Sequence, residues 1–167
     1  MIDIDIISEA RKLIGQAKYK FAARSFEAPD YVDCSTFVKY LYGLLGIWLP
    51  RRSIQQFCFC DKITDPSWLL PGDLIFTEGL VVNYYLNEPS EAIGHVAIFT
   101  GQDSIIQITL PSKGLGEISF QSFMETRKVR GFGRILPTDR KIITLLCPSE
   151  REVEQSDDIK WILLQSL

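Results

Sequence analysis

DCSTFVKYLYGLLG, residues 33–46, has the pattern of a helix from its first residue to its last. Asp33 is one of the side chains that cap a helix N-terminus by accepting a backbone N–H, and Gly46 stands where a helix commonly stops. Between them Phe37, Val38, Leu41, Leu44 and Leu45 recur at the spacing of one apolar helix face. Cys34 falls in the first turn and shares a face with Val38, Leu41 and Leu45, so its sulfur is expected to point inward.

Upstream, Ile6, Ala10, Leu13 and Ala17, with Ile7 and Ile14 beside them, predict a first amphipathic helix ending within residues 15–18. A polar and aromatic loop over residues 19–31, containing Pro29 and Asp30, leads into the central helix. Downstream, IWLPRRSIQQF (47–57) predicts a loop and a short helical turn, and Pro71-Gly72-Asp73 turns the chain into an apolar strand, LIFT. GHVAIFTGQDSIIQITL (94–110) predicts a hairpin of strands 95–100 and 104–110 around a turn at 101–103. Further strands are expected at 131–136 and 141–147, and a short helix after an acidic stretch within 149–167. The aromatic and acidic stretch at 79–92 suits either a hairpin extension or a loop beside the site.

Composition narrows the function classes. With 167 residues, 46% hydrophobic and 23% charged, the chain has the make-up of one soluble globular domain with a single core. A net charge of -3 gives no broad basic face for nucleic acid. Apolar runs are broken by Lys, Arg, Pro or Asp before reaching bilayer-spanning length, which argues against an integral membrane protein. The first residues show no basic region ahead of an apolar stretch and no small-residue cleavage site, which predicts a cytoplasmic chain as written, and an exported one where a leader precedes it. Of the four cysteines, Cys34, Cys58, Cys60 and Cys147, none is required for a disulfide framework in a chain of this size. Cys58 and Cys60 form a C-x-C pair without a second pair or a nearby His, so they read as structural, and no metal or cofactor is implied.

The chemistry rests on three positions. A thiol is nucleophilic as thiolate, and a helix N-terminus, where Cys34 lies, favours that anion. An imidazole in reach can take the thiol proton and return a proton to a leaving amine; His95 is the only histidine in the chain. A third polar group usually holds the second ring nitrogen, and Gln107 interrupts Ile105, Ile106 and Ile108 on the next strand. Each has a plainer reading. A lone cysteine on an apolar face is more often core filling, a histidine at a strand end is usually structural, and Gln107 faces solvent if the strand alternation runs the other way.

DCSTFVKYLYGLLGIWLPRRSIQQF, PGDLIF, GHVAIFTG and GFGRIL, in that order, resemble the motifs of the NlpC/P60 cysteine peptidases, papain-like enzymes that mostly cut peptidoglycan stem peptides. The similarity spans residues 10–136, leaving 137–167 as a C-terminal extension of one domain, 1–167, whose core is 6–136. It implies an α+β fold, with N-terminal helices on an antiparallel sheet of about five strands. It implies Cys34 as nucleophile, His95 as base, Gln107 as the third polar residue, and the Cys34 N–H in an oxyanion hole. The family's tyrosine ahead of the nucleophile looks like Tyr19, with Tyr31 the alternative. Asp33 and Ser35 resemble residues that hold the free amino end of a stem peptide. The implied substrate is a muropeptide or peptidoglycan fragment, cut between γ-D-glutamate and a diamino acid. Three features depart from the family pattern: Ala22-Ala23 stands for a usual Gly pair, Thr36 for a Gly, and the insertion at 80–92, with Tyr84 and Tyr85, is long. Two other classes remain open: a Cys-His amidase or acyltransferase acting elsewhere than on peptidoglycan, and a catalytically silent binding module.

Overall fold

A computed structural model of the chain describes residues 5–79, 92–110, 114–135 and 152–165. Helix α1 (Ile6–Lys12) is capped by Asp5, whose carboxylate accepts the Ile7 N–H at 3.0 Å, and it buries Ile6, Ile7 and Ala10. It stops earlier than its apolar period suggested, because Leu13 ends the helix and Gly15 turns the chain at φ +80°. Short strands β1 (Lys18–Tyr19) and β2 (Tyr31–Val32) flank the loop before the central helix α2 (Cys34–Leu44). Asp33 caps α2 by accepting the Thr36 N–H at 2.9 Å, and Gly46 closes it at φ +74°. Phe37, Val38, Leu41 and Tyr42 are buried, while Leu44 and Leu45 pack at the edge of the core. Helix α3 (Ser53–Phe59) and strand β3 (Asp61–Ile63) follow.

The sheet is completed by β4 (Leu74–Thr77), β5 (His95–Phe99), β6 (Ser104–Thr109), β7 (Gly114–Ser119) and β8 (Val129–Arg134), with helix α4 (Phe120–Thr126) between the last two. The strand order is β2-β1-β7-β6-β5-β4-β8-β3; β1 and β2 run parallel and all other neighbours antiparallel. The sheet therefore has eight strands rather than five. The five longer ones, β4 to β8, form the expected body, and the additions, β1 to β3, are only two or three residues long. Strand β7 and helix α4 lie in a stretch for which the sequence suggested no element. The expected strand at 141–147 and Cys147 lie outside the described residues. Helix α5 (Ser156–Gln165) forms in the expected acidic tail.

Alternation along the strands gives the sheet two apolar faces. Leu74, Phe76, Val96, Ile98, Ile106 and Ile108 face α1 and α2, while Ile75, Ala97, Phe99, Ile105 and Phe132 pack with Phe123 of α4. Pro71-Gly72-Asp73 makes the predicted turn, and its carboxylate has a structural use: Arg134 grips both Asp73 oxygens, at 2.8 and 2.7 Å. Cys60 is buried beside α3 with its Sγ 3.3 Å from the Gln56 carbonyl, which agrees with a structural thiol, and Cys58 is exposed. No helix among the described residues is long and apolar enough to cross a membrane.

Candidate active site

Two backbone features bring the site together. The chain before β5 passes so close to the chain after β4 that a Cβ on Gly94 would lie 2.6 Å from the Gly79 Cα, so only glycine fits at that crossing. At the far end of β5 the register with β6 covers Ile98↔Ile106 and Phe99↔Ile105. That register stops short of His95, and the Val96 N–H bonds to the Cys34 sulfur. The N-terminus of α2 thus abuts the strand end that carries the histidine.

Cys34 is partly buried at that junction, and the Ser35 and Val96 N–H groups both point at its sulfur. They favour thiolate, as expected at a helix start. Burial outweighs them, and with the charge of Asp33 next door the thiol is pushed up to about 11. His95 is buried, and burial lowers its ring to about 4 against the hydrogen bond to Gln107. The resting pair is therefore neutral thiol and neutral imidazole. His95 Nε2 lies 2.8 Å from Gln107 Oε1, an acceptor, so Nε2 carries the proton and Nδ1 is left with a free lone pair. This contact places Gln107 inward, beside the histidine.

The depressed histidine gives a stability signature. As pH falls from 6.5 toward 4, the unfolded chain takes up a proton at His95 that the folded chain does not, so stability is lost across that window, by about 3 kcal/mol. Urea denaturation at pH 7 and pH 4 should show this loss in the native protein and lack it in His95→Asn, over and above what the carboxylates contribute to both.

Around the pair, the sequence-derived binding residues separate. Asp33 accepts from Ser35 Oγ at 3.1 Å and pairs with Arg51 at 2.5 Å, while Arg51 also donates to Ser35 Oγ at 2.8 Å and to the Ala23 carbonyl at 2.9 Å. Arg51, part of the Leu-Pro-Arg segment, had no role assigned from sequence; an arginine after a buried Asp-Cys-Ser was the available signal. The parallel register sets Tyr19 beside Val32 and Tyr31 beside Lys18, so the two tyrosines lie on opposite faces. Tyr19 is the one near Cys34 and Asp33; burial, with the charge those two would carry, raises its phenol. Tyr31 is exposed, with the Lys18 ammonium 6.0 Å from its ring centre. The segment at 152–155 also reaches this region: the Glu154 carbonyl accepts the Arg51 N–H at 2.8 Å and the Val153 carbonyl accepts the Trp48 Nε1–H at 3.1 Å.

Thr36 and Ala22, where the resemblance led to an expectation of glycine, fit differently. Thr36 is buried with its hydroxyl 3.0 Å from the Ala23 carbonyl and 3.1 Å from Asp33 Oδ1. Ala22 sits at φ +55°, a left-handed conformation in which its Cβ is strained. Ala22→Gly is expected to raise stability by up to about 1 kcal/mol, and Ala22→Val to lower it, as read from thermal midpoints.

The NlpC/P60 family model matches residues 15–134. The chain belongs to the NlpC/P60 family. A γ-DL-glutamyl hydrolase of Bacillus subtilis is 31% identical over 112 residues, 66% of this chain and 24% of that protein. A probable endopeptidase p60 of Listeria innocua is 34% identical over 101 residues, 60% of this chain and 18% of that protein. The chain thus spans less than a quarter of the length of either relative. Among solved structures, the NlpC/p60 domain of the peptidoglycan hydrolase SagA is 27% identical, with a TM-score of 0.59 over 78% of this chain and 96% of that one.

Proposed function

We propose that the chain is a cysteine peptidase of the bacterial cell wall that hydrolyses the bond between γ-D-glutamate and a diamino acid in a stem peptide. The observation that carries this reading is the His95–Gln107 bond, which leaves Nδ1 bare at the strand end against which Cys34 is seated. Cys34 Sγ adds to the γ-glutamyl carbonyl carbon as its proton passes to His95 Nδ1. The resulting imidazolium gives that proton to the departing amine, leaving an acyl-enzyme thioester. A water, deprotonated by the same Nδ1, then attacks the thioester carbon, and the thiol is restored as the acid leaves. Gln107 holds the ring in the competent tautomer throughout. The N–H groups at the start of α2 stabilise the oxyanion. Asp33 and Ser35, fixed by Arg51, together with Tyr19, receive the amino end of the stem peptide. The γ-glutamyl relative and the peptidoglycan hydrolase domain support this choice of substrate.

Mass analysis of L-Ala-γ-D-Glu-diaminopimelate incubated with the protein tests the reading. L-Ala-D-Glu and free diaminopimelate are the expected products. Transfer of the acyl group to an added amine, without net hydrolysis, would instead identify an acyltransferase using the same pair.

A further inference from the structure

The segment at 152–155 lies beyond the residues that the family model matches, 15–134, yet it is bonded into the candidate site. Glu154 is its buried residue, and three of its polar groups meet three partners. Its N–H goes to Asp158 Oδ2 at 3.1 Å, beside that of Gln155 at 2.8 Å, which fastens the segment to α5. Its carbonyl accepts the Arg51 N–H at 2.8 Å, and its carboxylate Oε1 accepts the Ser25 N–H at 3.3 Å. A further bond closes a ring: Arg51 Nε donates to the Ala23 carbonyl, in the same loop as Ser25, at 2.9 Å. The ring ties Arg51 and the loop at 23–25 to one residue of the C-terminal segment. The other donors of Arg51 hold Ser35 Oγ at 2.8 Å and Asp33 Oδ2 at 2.5 Å, the two side chains assigned above to the amino end of the stem peptide. Two more contacts keep the segment in place, Trp48 Nε1–H on the Val153 carbonyl at 3.1 Å and Arg24 against Glu152 at 3.8 Å.

A binding group works only while the residues behind it keep it in place, and a guanidinium on a long side chain points where its backbone and its acceptors direct it. Here the backbone of Arg51 is held by the Glu154 carbonyl, and the loop that supplies its Ala23 acceptor is held by the Glu154 carboxylate. The Glu154 side chain is itself buried, so it acts through these neighbours and does not touch substrate. We infer that Glu154 is a positioning residue for the amino-end subsite: through Arg51 and Ser25, the C-terminal segment sets how tightly a free amino group on the stem peptide is held. This inference rests on the hydrolase reading and adds to it a part for residues outside the matched domain.

The test uses two synthetic peptides with the same scissile bond, L-Ala-γ-D-Glu-L-Lys with a free and with an acetylated amino end. The native chain is expected to favour the free amine. Glu154→Ala opens the ring and should raise KM on the free peptide by about threefold to tenfold, the effect of one hydrogen bond, with kcat and the acetylated peptide changed by less than about twofold. Glu154→Gln should stay near the native KM, because its amide oxygen still accepts the Ser25 N–H. A general loss of stability would not tell the two peptides apart. Trp48→Phe removes the bond to the Val153 carbonyl and should give a smaller change of the same kind; it carries the test if Glu154→Ala does not fold. Calorimetric binding of both peptides to Cys34→Ala, with and without Glu154→Ala, gives a readout independent of turnover. An equal KM for both peptides in the native protein, or an effect of Glu154→Ala that is absent or the same on both, overturns the role of Glu154 and leaves the hydrolase reading standing. No cleavage of either peptide, with the free amine bound more tightly only while Glu154 is present, supports Glu154 and overturns the hydrolase. Neither cleavage nor binding overturns both.

Discussion

Cys34→Ala is expected to lower hydrolysis of a γ-glutamyl stem peptide by about 10^4-fold or more while the protein stays folded, and His95→Ala by a similar factor. The two residues act as one device. Without the sulfur no acyl-enzyme forms, and without Nδ1 a thiol that burial holds at about 11 keeps its proton at neutral pH. The double variant should therefore be no slower than either single one, within error. Steady-state rates on one peptide, with circular dichroism to confirm the fold, check this. Additive losses would mean that the two residues do not share a step.

The second large effect is on stability. Arg51→Ala removes the partner of Asp33, with both side chains about 12% exposed, and leaves a buried carboxylate with only the Thr36 N–H and two hydroxyl groups around it. Breaking such a pair by deleting one member typically costs about 3–5 kcal/mol. Adding Asp33→Asn to Arg51→Ala should recover part of the loss, because the uncompensated charge is then gone. Urea midpoints of the three variants measure this. In steady-state rates on a stem peptide, Arg51→Ala should raise KM more than it lowers kcat, since Asp33 and Ser35 lose the group that fixes them while Cys34 and His95 keep theirs.

The central helix and the hairpin were legible because each carries its own signal. Asp33 caps, the apolar residues of 37–45 recur at helical spacing, and β5 and β6 are apolar runs separated by a Gly-containing turn. Strand β7, GLGEIS, escaped notice because glycines and a glutamate interrupt its alternation and only Leu115 is buried. Helix α4 is only seven residues long. Its signal, Ser119 as cap with Phe120, Phe123 and Met124 at helical spacing, was present but short. The very short strands β1 to β3 exist through pairing with distant partners, as in Asp61↔Arg134, which no local pattern encodes. The same holds at the site. Cys34, His95 and Gln107 were singled out from residue type and order, and the structure sets Gln107 against His95, whereas Arg51 takes its meaning from what folding sets beside it. That Tyr19 lies toward Cys34 and Tyr31 on the opposite face follows from the register of a parallel pair two residues long. The neutral resting state of the thiol was also invisible in sequence, since the helix N-terminus suggested the opposite and burial prevails.

The measurement that bears most directly on the central claim is the alkylation rate of Cys34 by iodoacetamide, followed by peptide mapping between pH 5 and 9 in the native protein and in His95→Ala. A proton that moves from sulfur to Nδ1 leaves the protonation count unchanged, so the thiolate–imidazolium pair supplies a route to reaction at a pH where the thiol alone, pushed up to about 11, stays protonated. The account predicts a rate in the native protein that climbs by clearly less than tenfold per pH unit, and that at pH 5 is slower by an order of magnitude or more once His95 is gone. A rate that climbs about tenfold per pH unit toward the ordinary thiol value near 8.5 in both proteins would contradict it.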